Sequence, residues 1–265
     1  MAQVKQMVLA GIAASAMFAT AISSANAADM DFAPAPTAYG YDWSGFYLGV
    51  AGGYLGAKTK NHGDYAVYDF VIDDYFVGGG KTNLKPEGGV FGGYAGYNWQ
   101  IPGSGFVLGI DADIYGATAK DSKHITDYSY RMDNGDVVLG DLRAKQKISS
   151  TWAVRGRAGW AIESFMAYVA GGYAGASMKT SVSDFNIYGP GSQSKTHTYT
   201  GWTVGGGLDF LVTPNWTMGI DYQYKDLGKK TVNFGGYYPD EYDVDLRVRS
   251  KLTANQITLR GGYKF

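Results

Sequence analysis

The last thirteen residues, Thr253-Ala254-Asn255-Gln256-Ile257-Thr258-Leu259-Arg260-Gly261-Gly262-Tyr263-Lys264-Phe265, decide how the chain is read. Every second residue back from the C-terminus (Phe265, Tyr263, Gly261, Leu259, Ile257) is apolar or small, and two of them are aromatic. The intervening residues are Lys264, Gly262, Arg260, Thr258 and Gln256. Alternation with a period of two is a β-strand with one apolar and one polar side. In a soluble sandwich the apolar side faces a core. In a transmembrane barrel it faces lipid, aromatics sit at the interface, and the polar side fills the lumen.

Seven further stretches carry the same pattern: Trp43 to Ala57, Gly88 to Gln100, Phe106 to Thr118, Ser149 to Ile162, Phe165 to Ser177, Tyr199 to Val212 and Trp216 to Leu227. The closing strand extends back to about Leu246. In the third, Leu108, Ile110 and Ile114 alternate with Asp111 and Asp113; in the fourth, Trp152, Val154 and Trp160 alternate with Arg155 and Arg157. The fifth is apolar on both faces and takes no orientation from its sequence. Three connections are turn-sized: Ile101 to Gly105, Glu163-Ser164 and Thr213 to Asn215. Four are long and polar: Lys58 to Glu87, Ala119 to Ile148, Met178 to Thr198 and Gly228 to Asp245. Short turns at one end and long loops at the other, with an even strand count, are the layout of an outer-membrane barrel, short side in the periplasm. Trp152 and Trp160 end one apolar face, about 20 Å apart in depth for a tilted strand, close to the spacing of two aromatic girdles. The expected fold is an all-β, eight-stranded antiparallel up-and-down barrel over residues 43–265.

Composition agrees. Gly 39 and Tyr 22 are both high, the net charge is -1, and Cys is absent. Near-neutral charge gives no footing for nucleic-acid binding. The missing cysteines exclude thiolate metal sites, disulfides and a lipidated N-terminal Cys. Residues 1–27 read as a cleaved signal peptide: Lys5 is the positive start, Met7 to Ile22 is apolar and small, and Ala25-Asn26-Ala27 is a cleavage site. The run is shorter than the ~20 residues of a helical span. Residues 28–42, with Pro34 and Pro36, read as an extended periplasmic leader.

Trp43-Ser44-Gly45-Phe46-Tyr47-Leu48-Gly49, Gly93-Tyr94-Ala95-Gly96-Tyr97-Asn98-Trp99-Gln100, Val154-Arg155-Gly156-Arg157-Ala158-Gly159 and the terminal Gly262-Tyr263-Lys264-Phe265 resemble the small opacity-type outer-membrane proteins of alphaproteobacteria. That family includes the surface antigens of brucella-type bacteria and rhizobial relatives grouped as a porin family. The resemblance covers Trp43 to Phe265 and is strongest in the strands. It implies an integral outer-membrane barrel serving envelope integrity and surface or host contact. Catalysis is not expected, because the residues offer no catalytic motif beyond isolated His–carboxylate pairs. Some relatives are described as haem-binding or as weak pores. Tyr263 and Phe265 resemble the C-terminal signal read by barrel-assembly machinery. Ending on the eighth strand, the chain is expected to carry no periplasmic peptidoglycan-binding domain.

The chemistry to be placed is mostly charge. On the polar faces lie Asp111, Asp113, Asp209 and Asp221, and Arg155, Arg157, Lys225 and Arg260. An eight-stranded barrel is just wide enough for side chains to fill. Four acids and four bases there are expected to pair across adjacent strands and close the lumen. The alternative is a small diffusion pore. Basic residues gather near the loop-side strand ends: Lys58, Lys60, Lys120, Lys123, Lys145, Lys147, Lys179, Lys229, Lys230, Arg247, Arg249 and Lys251. They suit lipopolysaccharide phosphates. His62, His124 and His197 fall in or beside predicted loops, near Tyr65, Tyr68, Tyr75, Tyr128, Tyr130, Tyr237, Tyr238 and Tyr242, which makes haemin a possible loop ligand. Asp64 lies near His62, and Asp121 and Asp127 near His124, but isolated His–carboxylate pairs are weak motifs, and no hydrolase, zincin or calcium-loop pattern appears.

Overall fold

A computed structural model describes residues 41–69, 74–131, 137–184, 191–238 and 242–265. The expected signal peptide, and all of the leader but Tyr41 and Asp42, lie outside the described residues. Ten strands follow in order: β1 (Gly45–Asp69), β2 (Asp74–Leu84), β3 (Glu87–Gln100), β4 (Phe106–Ala117), β5 (Lys120–Arg131), β6 (Val137–Ile162), β7 (Phe165–Asp184), β8 (Gly191–Leu211), β9 (Trp216–Tyr238) and β10 (Tyr242–Lys264).

Their pairing closes a ring. β1 pairs with β10 from Tyr47 to Asp69 and with β3 over Gly45 to Gly56. The circuit then runs β3–β4–β6–β7–β8–β9–β10, antiparallel throughout. That is eight strands. β2 and β5 are continuations rather than new staves. β2 takes over from β3 along β1 beyond Lys85-Pro86, and β5 takes over from β4 along β6 beyond Thr118-Ala119. Pro86, with no N–H to give a ladder, stands at the break, while its carbonyl still accepts from Ala57 N at 2.9 Å.

The four polar stretches expected as loops are therefore largely strand. β6 and β7 stay paired out to Leu142–Asp184, and β9 and β10 out to Tyr238–Tyr242. Past the membrane the outer face meets water and turns polar as well, so the apolar–polar alternation that marks a lipid-facing strand fades while the ladder persists.

Within the ring, alternation is as the sequence reads. Leu48, Val50, Phe91, Ile114, Trp160, Met218 and Leu259 are exposed, Phe91 and Leu259 at 69% each. Tyr47, Tyr115 and Arg260, next in sequence to Leu48, Ile114 and Leu259, are buried, as is Arg155 beside the exposed Val154. An aromatic belt at the turn end includes Phe46 against Tyr97 and Trp216 against Tyr263, which in turn meets Phe265. Trp152 with Tyr173 and Trp202 with Tyr224 form its counterpart toward the hairpins.

The fifth stretch, which has no legible orientation alone, is oriented by its neighbour. Glu163-Ser164 is a two-residue turn, so Ile162 and Phe165 stand directly opposite and share the outer face. That sends Met166, Tyr168, Ala170, Ala174 and Met178 inward, and leaves Val169 and Tyr173 outward.

One boundary differs. Trp43 is not part of the first strand; it is 1% exposed at the turn end. Its backbone N–H donates to Gln100 Oε1 at 2.9 Å, and its indole Nε1–H to the Glu163 carbonyl at 3.2 Å. Lys264 Nζ donates to the Asp42 carbonyl at 2.5 Å, fastening the same segment to the last strand.

Candidate functional site

Inward residues stack in layers from the turn end to the hairpin end. Beside Trp43, Arg157 Nη2 donates to Asp209 Oδ2 at 2.6 Å and Nη1 to Tyr47 OH at 3.2 Å, and its guanidinium lies 3.8 Å from the Tyr168 ring centroid. At the centre, Arg155 holds Asp111 bidentately, Nε to Oδ1 at 3.0 Å and Nη2 to Oδ2 at 2.8 Å. Its Nη1 reaches both oxygens of Asp221 at 3.2 Å. Asp113 Oδ2 lies 3.6 Å from Arg155 Nη2. Arg260 closes the circuit, 3.4 Å from Asp111 and 3.5 Å from Asp221, with its guanidinium 3.8 Å from the Tyr94 ring centroid. A bidentate guanidinium–carboxylate pair is the strongest geometry such groups adopt.

The eight charges are thus brought to one lumen, but not only across adjacent strands. Arg155 and Asp111 are register partners on neighbouring strands. Arg155 to Asp221 spans β6 to β9, and Arg157 to Asp209 spans β6 to β8. The lumen is narrow enough for an arginine to reach beyond its neighbour. Lys225 departs further: its Nζ donates to Gln256 Oε1 at 3.1 Å, and among the described residues no carboxylate lies within ion-pair distance.

Neutral members of the network were not singled out from the sequence. Tyr168 OH donates to Asp221 Oδ1 at 2.7 Å and accepts from Arg260 Nη1 at 2.9 Å. Gln223 Nε2 donates to Asp113 Oδ2 at 2.8 Å and Asp221 Oδ2 at 2.9 Å. Gln223 shares its face with Asp221 and Lys225, a period-two signal in plain view. Tyr168 is set inward by the Glu163-Ser164 turn, not by any pattern in its own stretch.

Next comes an apolar layer in which Leu55, Leu84, Ile148, Met178, Leu227 and Leu252 are at most 2% exposed. Beyond it a polar bridge crosses the lumen: Thr59 Oγ1 donates to Gln146 Oε1 at 2.5 Å, Gln146 Nε2 to Asn61 Oδ1 at 3.1 Å, and Ser250 Oγ to the same Asn61 oxygen at 2.6 Å. Leu84, Ile148 and Met178 fall in stretches expected as loops, which concealed this layer.

The basic rim is ordered on the outer wall. Lys120, Lys147 and Lys179 stand directly opposite one another on β5, β6 and β7, and Lys60, Lys251 and Lys229 do so on β1, β10 and β9. Lys58, Lys145 and Arg249 are also exposed, as is Arg247. Lys251 Nζ lies 2.9 Å from Asp226 Oδ2, a bond that with the neighbouring carboxylate charge holds the ammonium above its usual pKa. The histidines are spread around the circuit, His62 on β1, His124 on β5 and His197 on β8; β9 and β10 separate the first from the last. His62 Nε2 is 3.3 Å from Asp64 Oδ1. The tyrosine side chains proposed with them for haemin lie outside the described residues. Among the described residues no three His, Asp or Glu side chains form a metal-binding cluster.

A ring of eight antiparallel strands has lipid-compatible residues outside and charges inside. The model of the outer membrane protein beta-barrel domain matches residues 13–265. The chain belongs to this family. It is an integral β-barrel of the cell outer membrane. Similar to it is a 31 kDa outer-membrane immunogenic protein of Brucella melitensis, 33% identical over 98% of this chain and 100% of the relative. A 25 kDa outer-membrane immunogenic protein of Brucella abortus is 27% identical over the whole of both chains. A 22 kDa outer membrane protein of Rhizobium leguminosarum bv. viciae is 31% identical over 87% of this chain and 82% of the relative. The resemblance to brucella-type and rhizobial proteins drawn from the sequence holds.

Proposed function

We propose that the barrel is a non-enzymatic structural element of the envelope whose lumen carries no continuous water path, and that its hairpin end makes the contacts with the cell's surroundings. The observation that supports this reading is Arg155, 1% exposed, bonded at once to Asp111 on the neighbouring strand and to Asp221 three strands away. A buried charge is tolerable only when paired, and a wide aqueous channel has no need of such a cross-brace. The two lysine rows add a surface role. Like charges directly opposite on a sheet repel, so rows of three invite anionic lipid phosphates, and lipopolysaccharide is the phosphate-bearing lipid of this leaflet. Purified barrel in planar bilayers is expected to show no stable, uniform conductance. Reproducible ohmic steps from the wild-type chain would replace the closed lumen with a diffusion pore.

A further inference from the structure

We propose that the cleft between β8 and β9, above the ring, takes up an extended acidic segment of another polypeptide as an added strand. The proposal goes beyond the closed lumen and does not depend on it. β8 and β9 pair from Leu211–Thr217 up to Trp202–Asp226 and, among the described residues, no further. Yet β8 continues to pair with β7, and β9 with β10. The parting has a local cause. Opposite Leu252, β9 carries two residues, Leu227 and Gly228, and Gly228 has φ +70°. Asp226 Oδ1 accepts the Gly228 N–H at 3.0 Å. A bulge with glycine in the left-handed region bends its strand and ends pairing on one side. Two strand edges are left facing each other, each with backbone groups that need partners.

Lysines now occupy that cleft. Lys230 Nζ, from β9, donates to the Thr198 carbonyl of β8 at 2.9 Å, and Lys195 Nζ, from β8, donates to the Asn233 carbonyl of β9. Thr198 and Asn233 therefore turn backbone groups into the cleft. A residue's N–H and C=O point to the same side of its strand, so Thr198 and, two residues from Asn233, Thr231 offer N–H donors there as well. Around the cleft stand Lys179, Lys195, Lys229, Lys230 and Lys251, against, among the described residues, the single carboxylate of Asp226. This favours acidic side chains. Edge carbonyls need N–H donors, which a peptide backbone has and a lipid phosphate lacks; a strand with glutamates at alternate positions supplies both.

The test uses the full chain refolded in detergent, with a fluorescent twelve-residue peptide of alternating Glu and Val as probe. Saturable binding is expected. It should weaken about tenfold or more, the scale of one or two lost edge hydrogen bonds, when alternate peptide amides are N-methylated. The same loss is expected for Thr198→Pro and Thr231→Pro, each checked for heat-modifiable mobility. The N-methylated peptide decides the matter even if neither variant folds. Lys195→Glu with Lys230→Glu should abolish binding, and an alternating Lys–Val peptide should not bind. Absence of binding to the wild-type chain, or binding indifferent to amide methylation, overturns the proposal. So does capture of lipid A with no capture of the peptide, which would make the cleft a lipid-phosphate site.

Discussion

At the scale of single residues the barrel is built on pairs of unequal size. Tyr47 faces Gly96, Tyr94 faces Gly49, and Tyr168 faces Gly207 across adjacent strands, all on the inner side. A methyl group on Gly96 would lie 2.3 Å from Tyr47 Oη, one on Gly49 2.5 Å from Tyr94 Cζ, and one on Gly207 2.5 Å from Tyr168 Oη. The rings lie over the glycines, which is why a chain so rich in Tyr is also rich in Gly. Gly207→Ala must push the Tyr168 ring off Asp221 and Arg260 and also shift the Ile220 carbonyl, which would lie 2.4 Å from the methyl. It is expected to cost about 1–3 kcal/mol, the usual penalty of overpacking, read as a lowered urea midpoint for the refolded protein. Arg155→Ala leaves Asp111 without its bidentate partner and takes one guanidinium from Asp221, and should cost about 3–5 kcal/mol. Adding Asp111→Ala removes one stranded partner, so the double variant should lose less than the sum of the two single changes. Additive losses in equilibrium unfolding would mean that the pair is not coupled.

At the scale of elements, what could be read from the sequence follows solvent. Inside the bilayer, lipid and lumen impose opposite chemistry on alternate residues, so Phe106 to Ala117 and Trp216 to Asp226 announce themselves. Beyond it, in Lys58-Thr59-Lys60-Asn61-His62, both faces are polar and nothing distinguishes a strand from a loop, although β1 runs on to Asp69. The members of the charge network could be picked out from their faces. Their partners could not, because reach across the lumen depends on which strands the ring sets facing, as Arg155 with Asp221 shows. The turn that orients β7 has its own signature: Glu163 has φ +52°, the only described non-glycine residue with positive φ. A side chain in this region is disfavoured by roughly 1–2 kcal/mol. Glu163→Gly should therefore raise the unfolding midpoint slightly, whereas Gly228→Ala, at φ +70°, should lower it by a similar amount. Opposite shifts in the two variants are the expected result; equal shifts would remove backbone strain as the cause.

At the scale of the whole molecule, the closed-lumen reading rests on layers. Trp43 sits at the turn end, Arg157 with Asp209 beside it, the Arg155–Arg260 network at the centre, and the leucines with Ile148 and Met178 above. These layers fail differently. Removing charges from the network leaves cavities with polar walls that water enters readily. The leucine layer lacks such walls, and apolar constrictions resist filling. On the closed-lumen reading, the double variant Arg155→Ala, Asp111→Ala is less stable yet still silent in planar bilayers, because Leu55, Leu84, Leu227 and Leu252 continue to exclude water. Leu55→Ser with Leu252→Ser should be silent as well, since the charge network remains below. Only the four changes together are expected to give conductance, and Trp43→Ala should increase it further by clearing the turn end. Bilayer recordings on the four variants measure this directly. Conductance from the charge variant alone would show that the network, and not the stack, holds the lumen shut.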